Sequence, residues 1–169
     1  MPDDQTLTQT GGSADQPLIA GRYELRRRIG EGGMGEVFEA FDHTLERRVA
    51  LKRPPREAWV DIDARGRILD EARLQAQLRH PHIVGVQDVI DEGLGKPVWI
   101  LMDFIEGRTL KAVLRHRKRL DPDEAVKIGR QVASALQAAH DAGVVHRDLK
   151  PSNIMIDKNG WTYVLDFGI

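Results

Sequence analysis

HRDLKPSN, residues 146–153, is the stretch on which the choice of fold turns. A carboxylate (Asp148), a lysine two residues on (Lys150) and an asparagine five residues on (Asn153) stand in a loop that Pro151 keeps from becoming helix. Asp148 can accept a hydroxyl proton. Lys150 can neutralise charge on a transferring phosphoryl group, and Asn153 can offer its carboxamide oxygen to a metal. The plainer alternative is a charged turn after a helix. A solvated turn has no need of this ordered set between apolar VV (144–145) and IMI (154–156).

Upstream lies the clearest helix of the chain. Asp121 caps it, Pro122 takes the first turn and Glu124 completes a capping box. Ala125, Ile128, Val132, Ala135, Leu136 and Ala139 recur at helical spacing, and Gly143 ends it. TLKAVLRHRK (109–118) predicts a shorter helix with Thr109 as N-cap, and the RHRKR run (115–119) reads as a solvated face. Downstream, NIMID (153–157) and TYVLD (162–166) predict short strands joined by a KNG turn. Asp166-Phe167-Gly168 follows. Its Asp is a metal-ligand candidate and its Gly permits backbone angles that other residues resist, against the plainer reading of a fraying tail.

The first hundred residues have a different texture. Tyr23, Leu25 and Ile29 alternate, then come EGGMG and Val37, Phe38 and Phe41, which predicts strand, glycine turn, strand. RRVALK (47–52) predicts a third strand ended by PPRE. A helix is expected over about 61–79, with Ile62, Ile68, Ala72 and Leu78 on one face, Gly66 interrupting it and Pro81 closing it. IVGVQDVI (83–90) and PVWILMDF (97–104) predict two more strands around a DEGLGK turn. Together these make an antiparallel sheet with one packed helix.

Gly30-Glu31-Gly32-Gly33-Met34-Gly35 can bring backbone N–H groups close to phosphate oxygens, although a bare hairpin turn is the simpler use of such glycines. A dinucleotide-binding fold requires a helix after this pattern. EVFEAF reads as a strand, so that fold is excluded. Lys52 ends an apolar strand, where a lysine is usually a surface residue. It gains meaning if Glu71, or its neighbour Asp70, orients it toward phosphates.

These four motifs, in this order and on these elements, resemble the protein kinase family across about residues 21–169. HRDLKP is similar to the serine/threonine branch, and GEGGMGEVF and HPHIV to its bacterial members. The resemblance implies an α+β, protein-kinase-like fold. An antiparallel N-lobe sheet with one packed helix (about 21–104) would precede the first, mainly helical, part of a C-lobe (about 105–169), after a disordered leader (1–20). It further implies a magnesium-dependent transfer of the ATP γ-phosphate to protein Ser/Thr hydroxyls. Gly30 to Val37 would cover the ATP phosphates. Lys52, positioned by Glu71, would hold the α- and β-phosphates. Ile29, Val37, Ala50 and Met155 would sandwich the adenine, with Met102 at the back of its pocket. Asp103 would offer it a backbone carbonyl, and Ile105 a backbone N–H and carbonyl. Asp148 would be the catalytic base with Lys150 beside it, and Asn153 and Asp166 would hold Mg2+. One position departs from the pattern. Gln75 stands where kinases commonly place an apolar residue that stacks on the DFG phenylalanine.

Composition narrows the alternatives. The 169 residues are 41% hydrophobic and 30% charged, ordinary for a globular protein. A formal charge of −1 supplies no field to draw the chain to nucleic acid or membrane. The absence of cysteine rules out disulfides, thiolate catalysis and Cys-based zinc sites. No apolar run reaches membrane-spanning length, and the polar, acidic start is unlike a signal peptide, so a soluble, cytoplasmic protein is expected. His80 and His82 read as structural. Because kinases continue beyond DFG, the resemblance reads the chain as truncated after that motif. It then expects negligible transfer to protein substrates by the chain alone and a partly uncovered helix at about 121–141. A non-catalytic nucleotide-binding or interaction module, and an inactive remnant, are the alternatives.

Overall fold

The computed structural model describes residues 17–167. Most of the predicted leader and Gly168 lie outside them. Ile19, inside the predicted leader, bridges Tyr23 and packs on the sheet, so order reaches back into residues 17–20.

Five strands form one antiparallel sheet: β1 (Tyr23–Gly32), β2 (Gly35–Asp42), β3 (Arg47–Arg53), β4 (Val86–Asp91) and β5 (Val98–Asp103), in the order β1-β2-β3-β5-β4. The two-residue alternation of a strand gives the sheet two faces. Val49 and Leu51 of β3 join Tyr23, Ala40, Trp99 and Leu101 in a cluster on one face. Ala50 joins Ile100, Met102 and Val86 on the other, where Ala72 of helix α2 (Ile62–Gln77) closes the layer. β3 is therefore buried on both faces, which its run of Val, Ala and Leu permits.

A three-stranded sheet, β6 (Gly107–Thr109), β7 (Ile154–Asp157) and β8 (Thr162–Val164), begins the second half. Helices α3 (Leu110–Arg117) and α4 (Pro122–Asp141) pack beside it. Ile128, Val132, Ala135 and Ala139 of α4 bury against Leu110, Ile154, Val164 and Phe167. Thr109 caps α3 by accepting from Ala112 N–H, and Gly143, with φ 76°, turns the chain after α4. One of the links between the two halves is an extended segment at residues 78–84. Val164 N–H donates to His82 O at 2.8 Å, Val84 N–H donates to Val164 O at 3.1 Å, and Leu78 and Ile83 enter the second core.

Four local expectations change. Ile62, expected on the packed face of α2, is 70% exposed. It is the first residue after the cap Asp61, and the buried place one turn on goes to Arg65, which donates to Lys96 O at 3.0 Å and to Asp91. Glu124 makes no capping box. Asp121 alone accepts from Asp123 N–H, and Glu124 turns to Arg117 at 2.8 Å, while Arg117 stays exposed with the rest of the 115–119 run. A four-residue helix, α1 (Glu57–Val60), follows PPR, held by Ala58 in the core and by Trp59 Nε1 donating to Pro54 O. Residues 107–109, read only as a helix cap, form strand β6.

Candidate active site

A cleft of about 1050 Å3 opens between the glycine-rich hairpin and the loops of the second half. Its roof is Ile29, Gly30, Glu31, Gly32, Gly33, Met34, Gly35 and Val37, at the β1–β2 turn. Gly35 has φ 102°, and a Cβ there would meet Arg53 O at 2.1 Å, so this turn requires glycine. Lys52, Ile105, Asp148, Lys150, Asn153, Met155 and Asp166 complete the lining among the predicted residues. Ala50 and Met102 face each other in the β3–β5 register and are buried in the cluster that holds Val37, Ile105 and Leu165. They back the cleft and do not line it. Asp103 ends β5, its N–H donating to Gly85 O and its carboxylate accepting from Gly85 N–H and the Gln87 amide.

Lys52 is 1% exposed, and its Nζ donates to Asp166 Oδ1 at 2.8 Å. A buried ammonium requires a partner, and the carboxylate in reach is that of Asp166. The predicted Lys52–Glu71 pair is not formed, and among the described residues Glu71 makes no ion pair. Gln75, one turn later, is 1% exposed with both carboxamide atoms unpartnered. Phe167 is buried in the second core beside Leu78, its ring 4.8 Å from that of His146.

The HRDLKPSN loop folds onto itself. Lys150 Nζ donates to Asp148 Oδ2 at 2.5 Å. Asn153 Nδ2 donates to Asp148 O at 2.9 Å and to its Oδ2 at 3.3 Å. The Lys150 hydrogen bond, reinforced by its charge and by Asn153, holds the Asp148 carboxyl below the ordinary carboxylate range, so it is ionised at neutral pH. A 3-10 turn at Pro151–Asn153 sets this geometry by stopping the chain from entering helix. His146 is the member whose part was not predicted. Its Nε2 donates to Leu165 O at 2.8 Å while its own carbonyl accepts from Asp148 N–H at 2.8 Å, tying the HRDLKPSN loop to the residue before Asp166. A histidine beside two valines was the sequence signal, and it is a weak one. Phe104, Ser152 and Leu165 also line the cleft and carry no pattern of their own.

The donor set suits magnesium. Asn153 uses its N–H2 on Asp148, which leaves Oδ1 as the end to face a cation, and Asp166 supplies carboxylate oxygen. Among the described residues there is no cluster of three or more His, Asp or Glu side chains that could hold a metal unaided. Mg2+ needs no such cage, because it retains waters and is shared with substrate phosphates.

The protein kinase domain family matches residues 23–169. The chain belongs to that family. The kinase domain is 44% identical over 149 residues to serine/threonine-protein kinase PknE of Mycobacterium bovis, a match spanning 88% of this chain and 26% of the relative. It is 43% identical over 155 residues to a probable serine/threonine-protein kinase, CE0033, of Corynebacterium efficiens (90% and 23%). It is 42% identical over 154 residues to PknA of Mycobacterium tuberculosis (89% and 36%). The kinase domain thus spans about a quarter to a third of these relatives' length. Among the described residues, no helix is long and apolar enough to cross a membrane.

Proposed function

We propose that this domain transfers the γ-phosphate of ATP to serine or threonine hydroxyls of proteins, acting in the cytoplasm where ATP is supplied. The observation that carries the proposal is the buried Lys52–Asp166 pair, set in one cleft with Asp148, Lys150 and Asn153 under a glycine roof. The serine/threonine choice rests on Lys150 in HRDLKP and on the names of the relatives.

The roof glycines present backbone N–H groups to the phosphates. Ile29, Val37 and Met155 take the adenine between them, with Ala50 and Met102 behind, and residues 103–105 supply its hydrogen bonds. Lys52 holds the α- and β-phosphates. Glu71 would be the acid that positions Lys52 when Asp166 holds the metal. Asn153 and Asp166 would hold Mg2+, which supplies charge neutralisation to the phosphates when bound. Asp148, ionised and held by Lys150, orients the acceptor hydroxyl and receives its proton late, as the oxygen becomes acidic. Lys150 lies close enough to stabilise the charge that develops on the transferring group. Catalysis here is positioning and electrostatics.

A non-catalytic nucleotide-binding module is the second reading, favoured by the unformed Lys52–Glu71 pair. Calorimetric titration with Mg-ATP, using Lys52→Met as control, tests what both readings share. Saturable binding that disappears in the variant is expected. A folded chain that takes up no nucleotide would overturn both.

A further inference from the structure

We propose that Arg53 is a positioning residue for the glycine-rich roof, fixing the base of that loop from the outer face of the sheet. The proposal rests on the roof's reading as a nucleotide cover. Adjacent strand residues point to opposite faces, so Lys52 enters the cleft and Arg53 leaves it. The register partner of Arg53 is Glu36, the residue that follows the last roof glycine. Arg53 Nη2 and Nε lie 2.5 and 3.2 Å from Glu36 Oε2. Glu36 Oε1 accepts from Arg28 Nη1 at 2.9 Å, so one carboxylate ties β1, β2 and β3 at the foot of the loop.

The guanidinium is itself fixed. It lies 5.1 Å from the ring centroid of Phe38, 5.3 Å from that of Trp99 and 5.6 Å from that of Trp59. These three rings come from β2, β5 and α1, and a cation held over aromatic faces is attracted to each. An exposed ion pair alone contributes little. This one is stacked, and the two side chains are only 27% and 28% exposed. The main chain of Arg53 adds to the hold, since its carbonyl oxygen lies where a Cβ on Gly35 would have to go. By contrast, a Cβ on Gly32 or Gly33 would meet nothing within 4 Å. Among these glycines the close packing is therefore at the base of the loop, against Arg53.

Amide hydrogen exchange on the full chain, followed by Mg-ATP titration, tests the proposal. Arg53→Met keeps an apolar stem among the rings without the charge. Glu36→Gln keeps size without the carboxylate, and serves if the first variant does not fold. Without nucleotide, the amides of residues 30–37 should exchange about fivefold faster in either variant, while those of α4 keep their protection. Mg-ATP affinity should fall about five- to tenfold. Unchanged loop exchange would overturn the proposal, as would acceleration throughout the chain, which marks a merely structural role. Selective loosening of the loop in a protein whose wild type binds no Mg-ATP would uphold the anchor and overturn the nucleotide reading instead.

Discussion

Asp148 shows how much one neighbour can decide. Its carboxyl is held low chiefly by Lys150. Lys150→Met should therefore move the Asp148 titration up toward the ordinary carboxylate range, read by carboxyl carbon NMR against pH; an unmoved titration would contradict the assignment. Asp42 offers a second pH test. Arg22 donates to both of its oxygens at 2.7 Å and, with the N–H groups of Thr44 and Leu45, holds it at about 2. The folded value lies below the unfolded one, so this stabilisation is complete above about pH 4 and disappears as pH falls toward 2. Asp42→Asn should cost about 1–2 kcal/mol at pH 7 after allowance for screening at the part-exposed Arg22, and little at pH 2, by urea melts at the two values. Among the candidate site residues, those in continuous stretches could be named from the sequence by their short fixed spacings, and the structure sets Gly30 to Gly35 with Asp148, Lys150 and Asn153 on one cleft. The partner of Lys52 was not. Glu71 and Asp166 both offer a carboxylate, and which one is taken depends on where a helix and a distant loop come to rest.

At the scale of elements, α4 is the one whose start is best marked. Asp121 accepts from Asp123 N–H, and Asp121→Ala should lower stability by about 1 kcal/mol in chemical unfolding. The β1–β2 turn depends on Gly35 for space as well as for angle. Gly35→Ala should force the roof off Arg53 and weaken Mg-ATP binding by more than about tenfold, measured by titration, while leaving α4 helicity intact. Long periodic elements were legible: α4, β3 and β5 lie where their patterns predict. Short ones were not. β6 has three residues, too few for any period, and exists because β7 lies beside it. α1 exists because Ala58 finds a core and Trp59 a carbonyl. The N-terminal turn of α2 was misjudged for a related reason, since the long stem of Arg65 supplies burial that a count of apolar residues overlooks.

Over the whole molecule, the cleft draws its walls from both halves, so a ligand that fills it should stabilise both. At a hundred times its dissociation constant, Mg-ATP should add about 2.7 kcal/mol, seen as a rise in melting temperature that Lys52→Met abolishes. The segment at residues 78–84 is one of the links between the halves. His82 is 8% exposed and its Nδ1 donates to Thr162 O at 2.8 Å. His82→Ala would leave that carbonyl unmet at a cost of about 1–3 kcal/mol, measurable by urea unfolding. The Lys52–Asp166 pair has a consequence in time as well as in space. Its residues stand 114 positions apart, whereas the β1–β2–β3 meander closes through neighbouring turns. Contacts across so long a stretch carry the largest closure entropy and form after local ones. The β1–β2–β3 meander should therefore form before the cleft closes. Breaking the pair should hasten unfolding far more than it delays folding.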